Sequence, residues 1–290
     1  MSLQGKGAAG YLITARYFTV VDYGAAQWEL SPRLPGGEDV KLAVITPYYS
    51  ETMEQLVACH ESVAKQTIAG SVELLHLMVN DGRPPALAAS IPGVMHMVLP
   101  TNSSDTGATP RGIGMAVAWT IDDLDGVLFL DGDNTFALNH VESMVAVQQA
   151  TGADVVTCPR VLIRPDGSTL GLCTESDGDR FNDTNCYLIM RSAWPVVGRA
   201  WLCQPRHMGL WADRLVWEAV RNSGVRLARS PHATVDYVTL VESHYLERGE
   251  TPPEKARNTV IFEGKAVYMD NEQYRAWVQE QAMLNSGSQA

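Results

Sequence analysis

The chain has 290 residues, 46% of them hydrophobic and 19% charged, enough for one large core or one domain with extensions. Its formal net charge of −11, with only 22 Lys and Arg spread along the sequence, argues against the clustered basic surface that nucleic acid requires. No apolar stretch reaches the ~18–20 residues that span a bilayer, the first residues lack the order of a secretory signal, and Cys59, Cys158, Cys173, Cys186 and Cys203 form no C-x-x-C pair; the expectation is a cytoplasmic protein with reduced, mostly buried thiols.

In chain order, residues 1–40 contain apolar pieces but close on SPRLPGGED, a Pro, Gly and Asp cluster that reads as a linker, so a compact domain is expected from Lys41. LAVIT (Leu42–Thr46) reads as a buried strand. It is followed by helical spacing from Ser50 to Gln66, with Ser50 as N-cap and Glu51 and Glu54 near the positive end of the helix dipole. VELLHLMVN (Val72–Asn80) and MHMVL (Met95–Leu99) read as two more strands, Gly112–Thr120 as a helix, and VLFL (Val127–Leu130) as a fourth strand. Beyond it the pattern predicts a helix over His140–Ala150, a strand in DVVTCPRVLI, a loop or hairpin in the Gly- and Asp-rich stretch that follows, and a strand in NCYLIMR. A helix over Trp211–Asn222, closed by Gly224, and a strand in ATVDYVTL come next; the polar stretch from Glu247 reads as a peripheral helix and coil. Strands apolar on both faces that alternate with helices imply a mainly parallel sheet covered by helices, with the ligand beyond the carboxyl ends of the strands.

Three of those ends carry polar residues: TPYYSE, NDGR and DGDN. The last, in VLFLDGDNTF (Val127–Phe136), places two aspartates one residue apart at the end of a buried strand, a pattern with two uses. One is the first motif of haloacid dehalogenase-like phosphatases, which it resembles over six residues, with Asp131 as nucleophile and Asp133 as general acid. That chemistry needs a downstream Lys and a later acidic pair; after Phe136 the only lysines are Lys255 and Lys265, in the polar tail, and at least three strands precede the motif. The Gly112-x-Gly114 pair follows a polar loop and not a strand, so it is no dinucleotide fingerprint. TPYYSE is unlike the Gly-rich basic loop of a sugar-1-phosphate nucleotidyltransferase.

The other use holds a divalent cation against a diphosphate. From about Leu42 to His244 the chain resembles the family-2 glycosyltransferases of the GT-A fold. VITPYYSE is similar to their first strand and nucleotide-binding turn, SVAKQT to an S-x-x-x-Q-T helix end, and LMVNDGR to the second strand. TGATPRGIGMAVA resembles an Ala-Arg-Asn-x-Gly-x-x-x-Ala segment with Arg111 as its arginine, although Pro110 and Gly112 depart from it. LFLDGDN is then the Asp-x-Asp motif. The resemblance implies a GT-A (Rossmann-like) α/β fold, a mainly parallel sheet flanked by helices with a smaller acceptor-side subregion. Residues 41–139 would form the nucleotide-binding half, 140–246 the acceptor half and 247–290 a peripheral tail.

The resemblance implies a metal-dependent enzyme that moves a sugar from a nucleotide diphosphate sugar, UDP favoured, to a sugar, lipid-linked or small-molecule hydroxyl. Donor contacts are expected from Thr46, Pro47, Tyr48, Glu51, Asp81, Arg111 and Asp131. Tyr48 would stack on the base and Asp81 accept from an imide N–H. Asp133 would bind Mn²⁺ or Mg²⁺ directly, Asp131 would hold the ribose or a metal-bound water, and His244, after the last predicted strand, is a further candidate ligand. WADRLVWEAVRNSGVRL matches in part a Glu-Asp-x-x-Leu-x-x-Arg pattern. It places Asp213 as the base of an inverting displacement, with Ala212 where a second acid would stand. Trp194, Trp201, Trp211 and Trp217 are expected in the core ahead of any sugar-stacking role. A non-catalytic binding protein of the same fold is a further alternative, and the two chain ends are candidates for a homo-oligomer interface.

Overall fold

The computed structural model describes residues 40–67, 72–262, 265–270, 273 and 276. The readings made for 1–39 and for most of the chain after 270 lie outside the described residues. Within the described residues the elements are β1 (Val40–Tyr48), α1 (Met53–Ala64), β2 (Val72–Asn80), β3 (Val94–Val98), α2 (Ala108–Trp119), β4 (Gly126–Phe129), β5 (Thr135–Phe136) and α3 (His140–Thr151). The chain continues through β6 (Val155–Thr157), β7 (Arg160–Ile163), β8 (Thr169–Leu172), β9 (Tyr187–Met190), α4 (Trp194–Leu202), α5 (Ala212–Arg221), β10 (Leu227–Arg229), β11 (Val235–Val238), α6 (Glu242–Leu246), β12 (Arg257–Phe262) and β13 (Lys265–Asp270).

Seven strands form one sheet in the order β10-β6-β9-β4-β1-β2-β3, parallel throughout except for β9, which runs antiparallel to both β4 and β6. Alternation along β1 explains why its run is apolar on both faces. Ala43 and Ile45 enter one core with α2, α4 and α5, while Leu42, Val44 and Tyr48 enter a second core with α1 and α3. Trp194, Trp201 and Trp217 lie in the first of these cores, as expected. A smaller sheet, β5-β11-β7-β8, and a hairpin, β12-β13, stand apart from the large one.

Several local expectations change. Helix α1 is capped by Thr52 and not Ser50: Gln55 N–H donates to Thr52 Oγ1 at 3.3 Å, and Thr52 N–H to Gln55 Oε1 at 2.8 Å, a reciprocal capping box. Helix α5 ends at Arg221 with Asn222 as its cap, and Gly224, at φ +78°, takes the turn two residues later. DVVTCPRVLI is two strands in two sheets, parted around Pro159, whose missing N–H cannot continue the ladder. The stretch read as a peripheral tail contributes β12 and β13, and α4, which has Pro195 in its first turn, was not expected at all. The five cysteines are free, four of them buried and Cys203 exposed. Among the described residues no helix is long and apolar enough to cross a membrane.

Candidate active site

Register brings the three polar strand ends together. Tyr48 pairs with Asn80 across β1 and β2, and Ile45 with Phe129 across β1 and β4, so TPYYSE, NDGR and DGDN leave the sheet side by side. They open into a cleft of about 470 Å³ lined by Pro47, Tyr48, Tyr49, Glu51, Asp81, Arg111, Asp131, Asp133 and Asp213, among others. The cleft lies beyond the carboxyl ends of the strands, as expected for this kind of sheet.

Each carboxylate is held differently. Asp81 accepts from Ser103 Oγ at 2.5 Å, Ser103 N–H at 3.0 Å and Asn102 Nδ2 at 2.9 Å, which ties the loop before α2 to the end of β2. Asp131 accepts from Arg111 on Oδ1 and from Asn185 Nδ2 on Oδ2, the latter at 3.1 Å. Arg111 is itself buried: it donates to Thr106 O at 3.1 Å and lies over the Trp201 ring at 5.2 Å. The turn that feeds α2 needs glycine at 107, where φ is +84° and a Cβ would fall 2.7 Å from Arg111 Nη1.

Asp133 is exposed in the cleft. Desolvation pushes its carboxyl up to about 7, with the negative charges of Asp131 and Glu51 adding to the shift. The segment beyond Asp133 is anchored by the SVAKQT motif: Gln66 Nε2 donates to Ala137 O at 2.8 Å, Thr67 Oγ1 to Leu138 O at 2.9 Å, and Ser62 Oγ accepts from Phe136 N–H at 3.1 Å. Asp213 begins α5 on the opposite wall. Burial pushes its carboxyl up to about 6, with Asp183 adding to the shift while Arg214, whose N–H donates to Asp213 Oδ1 at 2.7 Å, opposes it. That wall abuts the loop before α2 through main chain, because a Cβ at Gly209 would lie 2.6 Å from the carbonyl of Asp105.

Asp213, together with Asp183, Leu210, Tyr237 and Arg257, also lines a second pocket of about 410 Å³. That pocket runs on to Phe181, Trp211, Arg214 and His244.

Three expected residues are placed otherwise than the sequence reading has them. Thr46 is fully buried; its hydroxyl bonds to His76 Nε2 at 2.9 Å beneath the sheet end, and it does not line the cleft. The Tyr48 hydroxyl meets His96 Nε2 at 2.7 Å and accepts Ala88 N–H at 3.3 Å, so its ring is fixed in packing; the exposed ring at the cleft is that of Tyr49, with the Arg83 guanidinium 5.3 Å from its centroid. Strand alternation is the reason, since Tyr48 points to the core face and its neighbour outward. His244 lines only the second pocket, with Nδ1 on Thr239 Oγ1 at 2.7 Å and Nε2 toward Glu175 at 3.4 Å, so it does not join Asp131 and Asp133. Among the described residues no three His, Cys, Asp or Glu side chains are grouped to hold an ion by themselves. Residues not foreseen as part of the site include Asp183, Asn185, Tyr237 and Arg257, the last from the supposed tail.

The sheet order, the reversed β9 and the cleft at the strand ends match a GT-A-like, Rossmann-type α/β fold. Among solved structures the chain is similar to S. aureus TarS residues 1–349 in complex with UDP, at 17% identity over 72% of this chain and 63% of that one, with a TM-score of 0.52. It is similar also to the longer S. aureus TarS structure, at 18% identity over 71% of this chain and 38% of that one, with a TM-score of 0.51. The chain thus spans less than two thirds of the length of either. No protein-family model and no curated protein matches it by sequence.

Proposed function

We propose that the chain is a family-2-like, metal-dependent glycosyltransferase that moves a sugar from a nucleoside diphosphate sugar, UDP-linked, to an acceptor hydroxyl with inversion. The observation that carries this reading is the single cleft in which Asp81, Arg111, Asp131 and Asp133 converge with Asp213 opposite them. The UDP bound in the TarS structure of the same fold supports a uridine donor.

The donor set fits a hard divalent cation. Asp133 offers carboxylate oxygen; desolvation first, and the charges of Asp131 and Glu51 second, raise its proton affinity, and a cation would offset that negative charge. One or two carboxylates suffice for Mg²⁺ or Mn²⁺ when the diphosphate and water supply the remaining ligands, consistent with a site that has no ready-made cage. Asp133, with Asp131 beside it, would hold the ion, which when bound supplies Lewis-acid stabilisation of the charge on the departing diphosphate.

The chain's own residues then divide the work. Asp81 sits at the base end of the cleft and accepts from an imide N–H, while Tyr49 offers the ring face. Arg111 holds Asp131, which would meet the ribose or a metal-bound water. Asp213 stands where the cleft meets the second pocket, so a hydroxyl entering from that pocket reaches its carboxylate. A carboxyl raised to about 6 is ionised at neutral pH yet basic enough to take the proton as the acceptor oxygen attacks. The leaving diphosphate departs on the opposite side of the sugar carbon, which gives inversion. The engagement of both Asp131 oxygens by Arg111 and Asn185 favours this role over that of a phosphate nucleophile.

The test is thermal unfolding with a panel of nucleoside diphosphates, with Mn²⁺, Mg²⁺ or chelator. A ligand at a hundred times its Kd adds about 2.7 kcal/mol, a readable shift. UDP should stabilise the native protein strongly with metal and weakly with chelator, and Asp133→Ala no more than the native protein with chelator. Equal stabilisation of Asp133→Ala would overturn the reading.

A further inference from the structure

We propose that Asn185 is a positioning residue that fixes Asp131 for the metal-dependent part of donor binding, an inference that rests on the glycosyltransferase reading above. Asn185 stands in the turn before β9 and is fully buried. Its Oδ1 accepts the backbone N–H of Asp131 at 2.5 Å, and its Nδ2 donates to Asp131 Oδ2 at 3.1 Å and to Asp183 Oδ1 at 2.8 Å. Both amide hydrogens and the amide oxygen are therefore used. The arrangement also settles which end of the amide is which: turned over, it would set N–H against N–H and a carbonyl oxygen against two carboxylates.

Space filling alone does not call for an amide here, since a leucine has the same branched skeleton. What the amide adds is a neutral double donor between two acids that would otherwise repel each other. The second acid, Asp183, is anchored in turn by the buried Arg160, whose guanidinium covers the Tyr237 ring at 3.9 Å. Asp183 and Tyr237 line both the cleft and the second pocket. Asn185 thus ties the end of β4, with the Asp-x-Asp pair, to the framework between the two pockets. It touches neither substrate nor cation and acts through Asp131.

The experiment uses the full chain with Asn185→Leu, and with Asn185→Ser as the milder change should the first not fold. UDP affinity is measured by calorimetry with Mn²⁺ and with chelator. With Mn²⁺ the affinity should fall about tenfold or more, the usual cost of removing a group that orients a metal ligand, while the affinity in chelator stays within about twofold. A fall of equal size in both conditions, or none with Mn²⁺, overturns the proposal, because a merely structural residue moves both together. A second reading needs no ligand: Tm is compared for Asn185→Leu, Asp131→Asn and the double variant. If the two residues act as one unit, the double variant melts no lower than the worse single; additive losses overturn the clamp. If the native protein binds no nucleoside diphosphate under any condition, the glycosyltransferase reading fails, and the Tm comparison alone decides the clamp.

Discussion

The two sides of the cleft treat charge differently. On the second-sheet side, Arg160 is matched within the chain by Asp183 and by the ring of Tyr237. On the strand-end side, Asp133 is exposed in the cleft, and its carboxyl is pushed up to about 7 because desolvation and two neighbouring carboxylates outweigh what the chain sets against them. Matched buried charge belongs to the framework; incompletely matched charge in a cleft marks where a ligand completes the pairing. Asp213, raised to about 6, sits between these regimes and belongs with the second.

Substitutions should separate the two. Asp133→Ala is expected to have the largest effect, a loss of transfer of about 10³-fold or more as the metal's stabilisation disappears, read in a radiolabelled transfer assay. Asp213→Asn should lose about 10²–10⁴-fold in kcat, the range for a general base, while UDP binding by calorimetry is retained.

The same change should raise stability. The folded carboxyl binds its proton more tightly than the unfolded one, so folding is penalised as pH rises from the unfolded value of 3.8 to about 6, and fully above it. Removal of that charge should add about 1–3 kcal/mol at pH 7.5 in urea unfolding, whereas a loss of stability would place Asp213 in the framework. For the native protein, kcat/KM of transfer should fall tenfold per pH unit below about 6 as Asp213 is protonated.

Arg160→Met should act on the matched side, costing about 3–5 kcal/mol in stability because Asp183 is left buried without its partner. Smallest is the pair of tyrosines. Tyr49→Ala should weaken UDP binding by about 1 kcal/mol, the low end for a stacked base, and Tyr48→Phe should leave binding unchanged while lowering Tm. The reverse pattern would return Tyr48 to the stacking role.

The first half was legible because each strand there is a continuous apolar run and each polar end follows directly from it. Asp81, Arg111, Asp131 and Asp133 could be picked from motifs and do meet in one cleft. Thr52-x-x-Gln55 and the Trp194, Val197, Trp201 spacing of α4 were readable signals that the reading passed over. The rest was out of reach for physical reasons. Asn185 and Asp183 lie in an irregular loop where no period constrains a polar residue. Arg257 reaches the cleft only because the chain after α6 returns to it, with Val241 bridging Arg257, a long-range event without a local sign. His244 looked like a ligand by order along the chain, yet Thr239 and Glu175 engage its ring.

Gly209 gives the cleft a built-in gauge. Where it presses on Asp105, peptide meets peptide, with no room for even a methyl group. The gap between the loop before α2 and the segment that leads into Asp213 is therefore set by a contact made of main chain. On the glycosyltransferase reading, that contact would fix how far Asp213 stands from a donor held by the strand ends.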